Sequence, residues 1–211
     1  MTDRIDVFIQ NSIRIRTEKG NIYVDPFRMR EEPHDAAFVL ITHDHYDHFS
    51  PEDIAKVACD DTVMVVPEKM SGKAAEVHTY VKEIQTVTPG ISETIDWLDI
   101  ETVPAYNKLK PFHPKSAGWV GYILTVWGER IYIAGDTDAT PNAESVKCDV
   151  ALIPIGGTYT MDARAAAGLI NTMKPRVAIP VHYGDIVGKP EDADAFAKLV
   201  DDDVRVEVKI G

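Results

Sequence analysis

His43-Asp44-His45-Tyr46-Asp47-His48 gathers three of the chain's seven histidines and two aspartates into six consecutive residues. An apolar run precedes it, Ala36-Ala37-Phe38-Val39-Leu40-Ile41, which reads as a buried strand. Phe49-Ser50-Pro51-Glu52-Asp53 follows and reads as a helix start. Ser50 suits the N-cap, Pro51 the first helical position, and Asp53 the positive end of the helix dipole. The cluster therefore occupies a short loop between a strand's carboxyl end and a helix N-terminus, where a rigid scaffold usually presents chemistry. His43 and His45 are two apart, so in extended backbone they point the same way. Asp47 and His48 come after a bend and can face a second point. Imidazole and carboxylate together suit zinc, and also iron or manganese.

Outward from this loop, the N-terminal side reads as strands. Residues 4–9 and 12–16 form a hairpin around Gln10-Asn11. Ile22-Tyr23-Val24 makes a third strand, stopped at Asp25-Pro26, and Asp25 reads as a turn or cap residue. On the C-terminal side, helix 51–58 leads to strand 63–66, a short helix over 69–78, and three short strands at 84–87, 91–94 and 98–103. His34 and His78 read as surface histidines. Strands 119–127 and 130–134 form a hairpin around Gly128-Glu129. Strand 150–155, a helix over 163–173 capped by Asp162, strand 177–181, a helix over 192–200 and a strand over 204–208 complete the chain.

Two further strand ends deliver ligand-type side chains. Asp136 follows the strand ending at 134, where its carboxylate can bridge two cations. His182 follows the strand ending at 181. Three strand ends carrying such groups suggest two sheets packed face to face with helices outside. The fold class expected is α+β.

The 211 residues, 45% hydrophobic and 27% charged, suit one globular domain spanning 1–211. No run approaches the ~18 apolar residues of a membrane span. The polar N-terminus is not expected to be a signal peptide. Two cysteines, Cys59 and Cys148, are expected as free, buried thiols in a reducing, cytoplasmic setting. A net charge of −12 disfavours nucleic acid as main partner, because phosphate binding draws on Lys/Arg density. Lys108, Lys110 and Lys115 form the only basic cluster near candidate residues, and a solvated loop explains it equally well.

These motifs, His43-x-His45-x-Asp47-His48, then Gly135-Asp136-Thr137, then Pro180-Val181-His182, resemble the metallo-β-lactamase superfamily, in its small lactonase-like and phospholipase-D-like branch. Pro154-Ile155-Gly156-Gly157-Thr158-Tyr159-Thr160-Met161 resembles that branch as well. The resemblance implies a four-layer αββα sandwich and a hydrolase. It puts His43 and His45 on one metal, and Asp47, His48 and His182 on a second, with Asp136 bridging. A third histidine normally completes the first metal from a loop after a strand end. Here that stretch reads Pro104-Ala105-Tyr106-Asn107. His113 is the first candidate to fill the place, and an incomplete first site and Asn107 are the alternatives.

The expected cofactor is zinc, Zn2+, two per chain, with Mn2+ or Fe2+ as alternatives. A cation pair about 3.5–4 Å apart lowers the pKa of a bound water, and Asp47 or Asp136 would orient it and carry its proton. Asn107 and Tyr159 are the substrate-binding candidates. Tyr106 and Tyr183 are further tyrosines able to donate to developing charge, and the Gly156-Gly157 pair could offer N–H groups to an anion. The leading expectation is hydrolysis of an ester, lactone or phosphodiester in a small or anionic substrate. A nucleic-acid phosphodiesterase of the same superfamily and a non-hydrolytic metal or redox module are the alternatives. The substrate is left open, as is a homo-oligomeric state.

Overall fold

In the computed structural model, residues 2–210 are described. Contacts cluster into two compact units, residues 1–87 and 88–211, and each unit builds its own sheet.

The first unit holds β1 (Ile5–Val7), β2 (Ile13–Thr17), β3 (Gly20–Val24), β4 (Ala36–Leu40), β5 (Val63–Pro67) and β6 (Glu83–Val87) in one six-stranded sheet, in chain order. The β1–β2 and β2–β3 pairs are antiparallel, and β3–β4, β4–β5 and β5–β6 are parallel. Parallel neighbours need a crossover. Helix α1 (Pro51–Val57) supplies one between β4 and β5, and α2 (Ser71–Ala74), flanked by 3-10 turns, supplies another between β5 and β6. Tyr23, Val39, Ile41, Phe49, Ile54, Val57 and Met64 share one buried cluster.

The second unit repeats the plan. β7 (Ser92–Ile95), β8 (Leu98–Pro104), β9 (Val120–Val126) and β10 (Glu129–Ile133) form an antiparallel meander. β11 (Val150–Pro154), β12 (Val177–Val181) and β13 (Arg205–Val206) then add in parallel. Helices α3 (Pro141–Glu144), α4 (Ala163–Met173) and α5 (Asp192–Leu199) lie in the crossovers. All five residues of β11 and of β12 are buried, so these strands read as continuous apolar runs.

The local signals work as the physics requires. The Ser50 side chain accepts from the Asp53 N–H, with Pro51 in the first turn of α1. The Asp162 carboxylate accepts from the Ala165 N–H at the start of α4. Gly121 lies where any Cβ would meet the Ala134 carbonyl oxygen at 2.6 Å, so only glycine fits that strand pair.

Three expectations change. The β9–β10 turn is Trp127-Gly128, with φ +56° and +76°, and Glu129 already belongs to β10. The helix expected over 69–78 is broken into a 3-10 turn, one α turn and a second 3-10 turn; Ser71-Gly72 and the β-branched Val77 and Thr79 give a continuous helix poor support. Helix α3 was not expected, although Thr140 caps it and Pro141 opens it. Cys59 and Cys148 are free as expected but only partly buried, and His34 and His78 are exposed as expected. No helix among the described residues is long and apolar enough to cross a membrane.

Candidate metal centre

Each unit carries its own group of metal-type ligands at the carboxyl ends of its strands. In the first unit, β4 ends at Leu40 and the chain bends through 41–48 into α1. The His43 Nε2 lies 3.1 Å from His45 Nδ1. The His48 Nε2 lies 3.6 Å from Asp47 Oδ2. The sequence spacing thus produces two donor pairs within one loop.

Behind them sits Asp25, which follows β3 and is fully buried. Its Oδ2 accepts from Asn11 Nδ2 at 2.7 Å and from the Thr42 hydroxyl at 2.6 Å. The same oxygen lies 2.7 Å from His48 Nδ1. Its Oδ1 accepts from the Thr42 N–H at 2.8 Å. The Thr42 hydroxyl, already donating to Asp25, can only accept at its 3.0 Å contact with His43 Nδ1. The network therefore places the hydrogens of His43 and His48 on Nδ1, an assignment that follows from hydrogen-bond logic. On this assignment Nε2 is the ring nitrogen of each that can act as a metal ligand. Asp25 acts on His48 directly and on His43 through Thr42. The sequence reading as a turn or cap residue missed this, because these partners lie 17 and 23 residues away.

In the second unit, Asp136 follows β10 and Gly135 and is 4% exposed. Its two oxygens face different imidazoles. Oδ2 lies 3.2 Å from His113 Nε2, and Oδ1 lies 3.3 Å from His182 Nε2. His182 follows β12 and holds a left-handed backbone, φ +57°, a conformation costing of order 1–3 kcal/mol in a non-glycine residue. Gly156 makes room for it: a Cβ there would stand 2.4 Å from the His182 carbonyl oxygen.

Asn107 and His113 are bound to each other. The Asn107 Oδ1 accepts from the His113 N–H at 3.1 Å and lies 3.0 Å from His113 Nδ1. The Asn107 Nδ2 donates to the Tyr159 carbonyl at 2.9 Å. Tyr159 is half-buried and its ring meets Phe112 edge-on at 4.8 Å. An amide oxygen only accepts, so His113 carries a hydrogen on Nδ1, and its Nε2 is the ring nitrogen that faces the Asp136 carboxylate.

This arrangement fits metal ions. His113 Nε2 and His182 Nε2 stand 3.2 and 3.3 Å from the two Asp136 oxygens, and imidazole with carboxylate is a donor set for zinc or another borderline cation.

Other candidates are spent elsewhere. The Gly157 N–H donates to the Met161 carbonyl at 2.9 Å, so it does not offer itself to an anion. The Tyr106 hydroxyl donates to Asn142 at 3.3 Å. Tyr183 belongs to the hydrophobic core, and burial raises its hydroxyl pKa. Lys110 is held by Asp138 at 3.1 Å and by the Thr160 carbonyl. Lys115 stands over the Tyr106 ring.

The β-lactamase superfamily domain model matches residues 4–182. The chain belongs to the metallo-β-lactamase superfamily. It is 31% identical over 208 residues to a UPF0173 metal-dependent hydrolase of Pyrococcus abyssi, covering 89% of this chain and 88% of that one. It is 30% identical to one of Salinibacter ruber, covering 94% of each. A structure from Parabacteroides distasonis, described as that of a metal-dependent hydrolase, superposes with a TM-score of 0.81 at 28% identity, covering 98% of this chain and 93% of that one. Igni18, a metallo hydrolase from Ignicoccus hospitalis, gives 0.76 at 22% identity over 98% and 94%, a likeness of fold. The α+β class and the metallo-β-lactamase fold expected from the sequence are those of these neighbours.

Proposed function

We propose that this member of the superfamily is a metal-dependent hydrolase, with residues 1–211 acting as one catalytic domain. The family match runs from 4 to 182 and so draws on both compact units. The relatives named above as metal-dependent hydrolases support the reaction class.

The proposed ligand set is His43, His45 and His113 for one metal, and Asp47, His48 and His182 for the other, with Asp136 shared. The observation that carries it is the Asp136 carboxylate, whose two oxygens each face a different histidine Nε2. A carboxylate so placed could be shared by two cations. Two zinc ions per chain are the proposed cofactor. When bound, such a pair supplies Lewis acidity toward the scissile group and lowers the pKa of water toward neutrality.

The chain's own residues do the rest. Asp25 and Thr42 hold His48 and His43 in the tautomers that expose Nε2. Asn107 does the same for His113. Asp47, 7% exposed, is the proposed carboxylate that orients the attacking water and takes its proton. Tyr159 is proposed to line the substrate's approach. The substrate is a small or anionic ester, lactone or phosphodiester.

Metal analysis of the purified protein, with hydrolysis of ester, lactone and phosphodiester panels before and after chelation, tests the proposal. Two metal equivalents and a chelator-sensitive activity restored by Zn2+ are expected. Metal-replete protein inert on all three panels would overturn it.

A further inference from the structure

Where the superfamily's third histidine is expected, this chain has Asn107, and a histidine follows six residues later. The two form a clasp. Besides the two bonds into the Asn107 carboxamide oxygen, the Asn107 N–H donates to the His113 carbonyl at 2.8 Å. The five residues between are tied down as well. The Lys108 N–H and the Lys110 ammonium both reach Asp138, and Phe112 rests against Tyr159. Asn107 is 6% exposed, and both ends of its carboxamide are engaged with protein atoms.

We propose that Asn107 is a positioning residue, which fixes His113 as the Nδ1–H tautomer with Nε2 as ligand atom and ties that imidazole to the Tyr159 segment. The inference rests on the reading of His113 as a metal ligand. It follows from hydrogen-bond direction: the carboxamide oxygen has no hydrogen to give, so the shared hydrogen belongs to the imidazole. The ligand has moved along the loop, and the residue at its former place orients it. Partners of this kind typically account for 10–100-fold in metal affinity.

Two measurements on the full chain test this. Zn2+ affinity is read by competition with a chromophoric chelator, and the His113 tautomer by 15N NMR of the metal-free protein. Wild type is expected to bind two Zn2+ and to show His113 protonated on Nδ1. N107A is expected to keep a stoichiometry of two, with one site weakened 10–100-fold and both tautomers populated. N107D restores an acceptor for Nδ1 but loses the donor to the Tyr159 carbonyl, so it is expected to recover the tautomer and only part of the affinity, even where N107A folds poorly. His113→Ala is expected to lose one site outright. Wild-type affinity and a single tautomer in N107A, or an Nε2–H tautomer in wild type, would overturn the positioning role. Two undiminished sites in His113→Ala would instead overturn the ligand reading beneath it.

Discussion

Replacing Asp25 by alanine removes the acceptor on which the first unit's histidine loop is hung. Four groups lose their partner: the Asn11 amide, the Thr42 N–H, the Thr42 hydroxyl and His48 Nδ1. The site is fully buried, so water does not replace the carboxylate without rearrangement. Each buried donor left unsatisfied costs about 1–3 kcal/mol. The hydroxyl can turn to another acceptor, and such terms are not additive. Loss of a buried network of this kind costs about 3–5 kcal/mol, a large part of the ~5–15 kcal/mol that holds a protein folded. At roughly 2–4 °C per kcal/mol for a chain of this size, the midpoint should fall by about 10 °C. The assay is thermal and urea unfolding of the metal-free protein, so that metal binding does not enter. Asp25→Asn, which keeps the shape and tolerates the residue's φ of +46°, should also lose stability, because half its carboxamide donates where only acceptors fit. A loss below about 1 kcal/mol in both variants would show that Asp25 is not the anchor described.

Other consequences are open to test. Thr42→Val keeps the shape but removes the hydroxyl between Asp25 and His43; a loss of about 1–3 kcal/mol is expected in urea unfolding, with recovery in Thr42→Ser. Gly156→Ala would press a methyl group against the His182 carbonyl and Val187; unfolding should show a loss of about 1–3 kcal/mol, and Zn2+ competition a weakened site. Burial pushes the Cys148 thiol up from 9.0 to about 12, so labelling of Cys148 by a thiol reagent at pH 8 should be slow until the protein unfolds. The sign for stability follows. The group's contribution is intact below its unfolded value near 9 and is lost as pH rises toward about 12, which alkaline unfolding of Cys148→Ala against wild type would check.

Local features were legible because their causes are local. The apolar run, the histidine loop and the Ser50-Pro51 helix start lie together in 36–53, and the caps at Ser50 and Asp162 need only neighbours three residues on. Asp25 was illegible in its real role because its partners come from other strands' ends. Asn107 and His113 were both named, but which presents a ligand atom depends on a hydrogen-bond direction that spacing does not carry. The β9–β10 turn was misplaced by one residue, since Trp127 takes a positive φ that tryptophan rarely adopts. Thr140-Pro141 is the sole local signal for α3, because four residues make no periodic pattern.

The backbone hand at position 182 limits which side chains this chain's descendants could carry there. Histidine, aspartate and asparagine are the side-chain-bearing residues enriched in left-handed geometry. That corner can therefore trade an imidazole for a carboxylate or carboxamide at small cost. A thiolate or a longer acid would have to work against the main chain. Residues 43 and 45 carry no such constraint among the described residues. An engineer seeking a softer, sulfur-rich centre for another metal should begin with that pair.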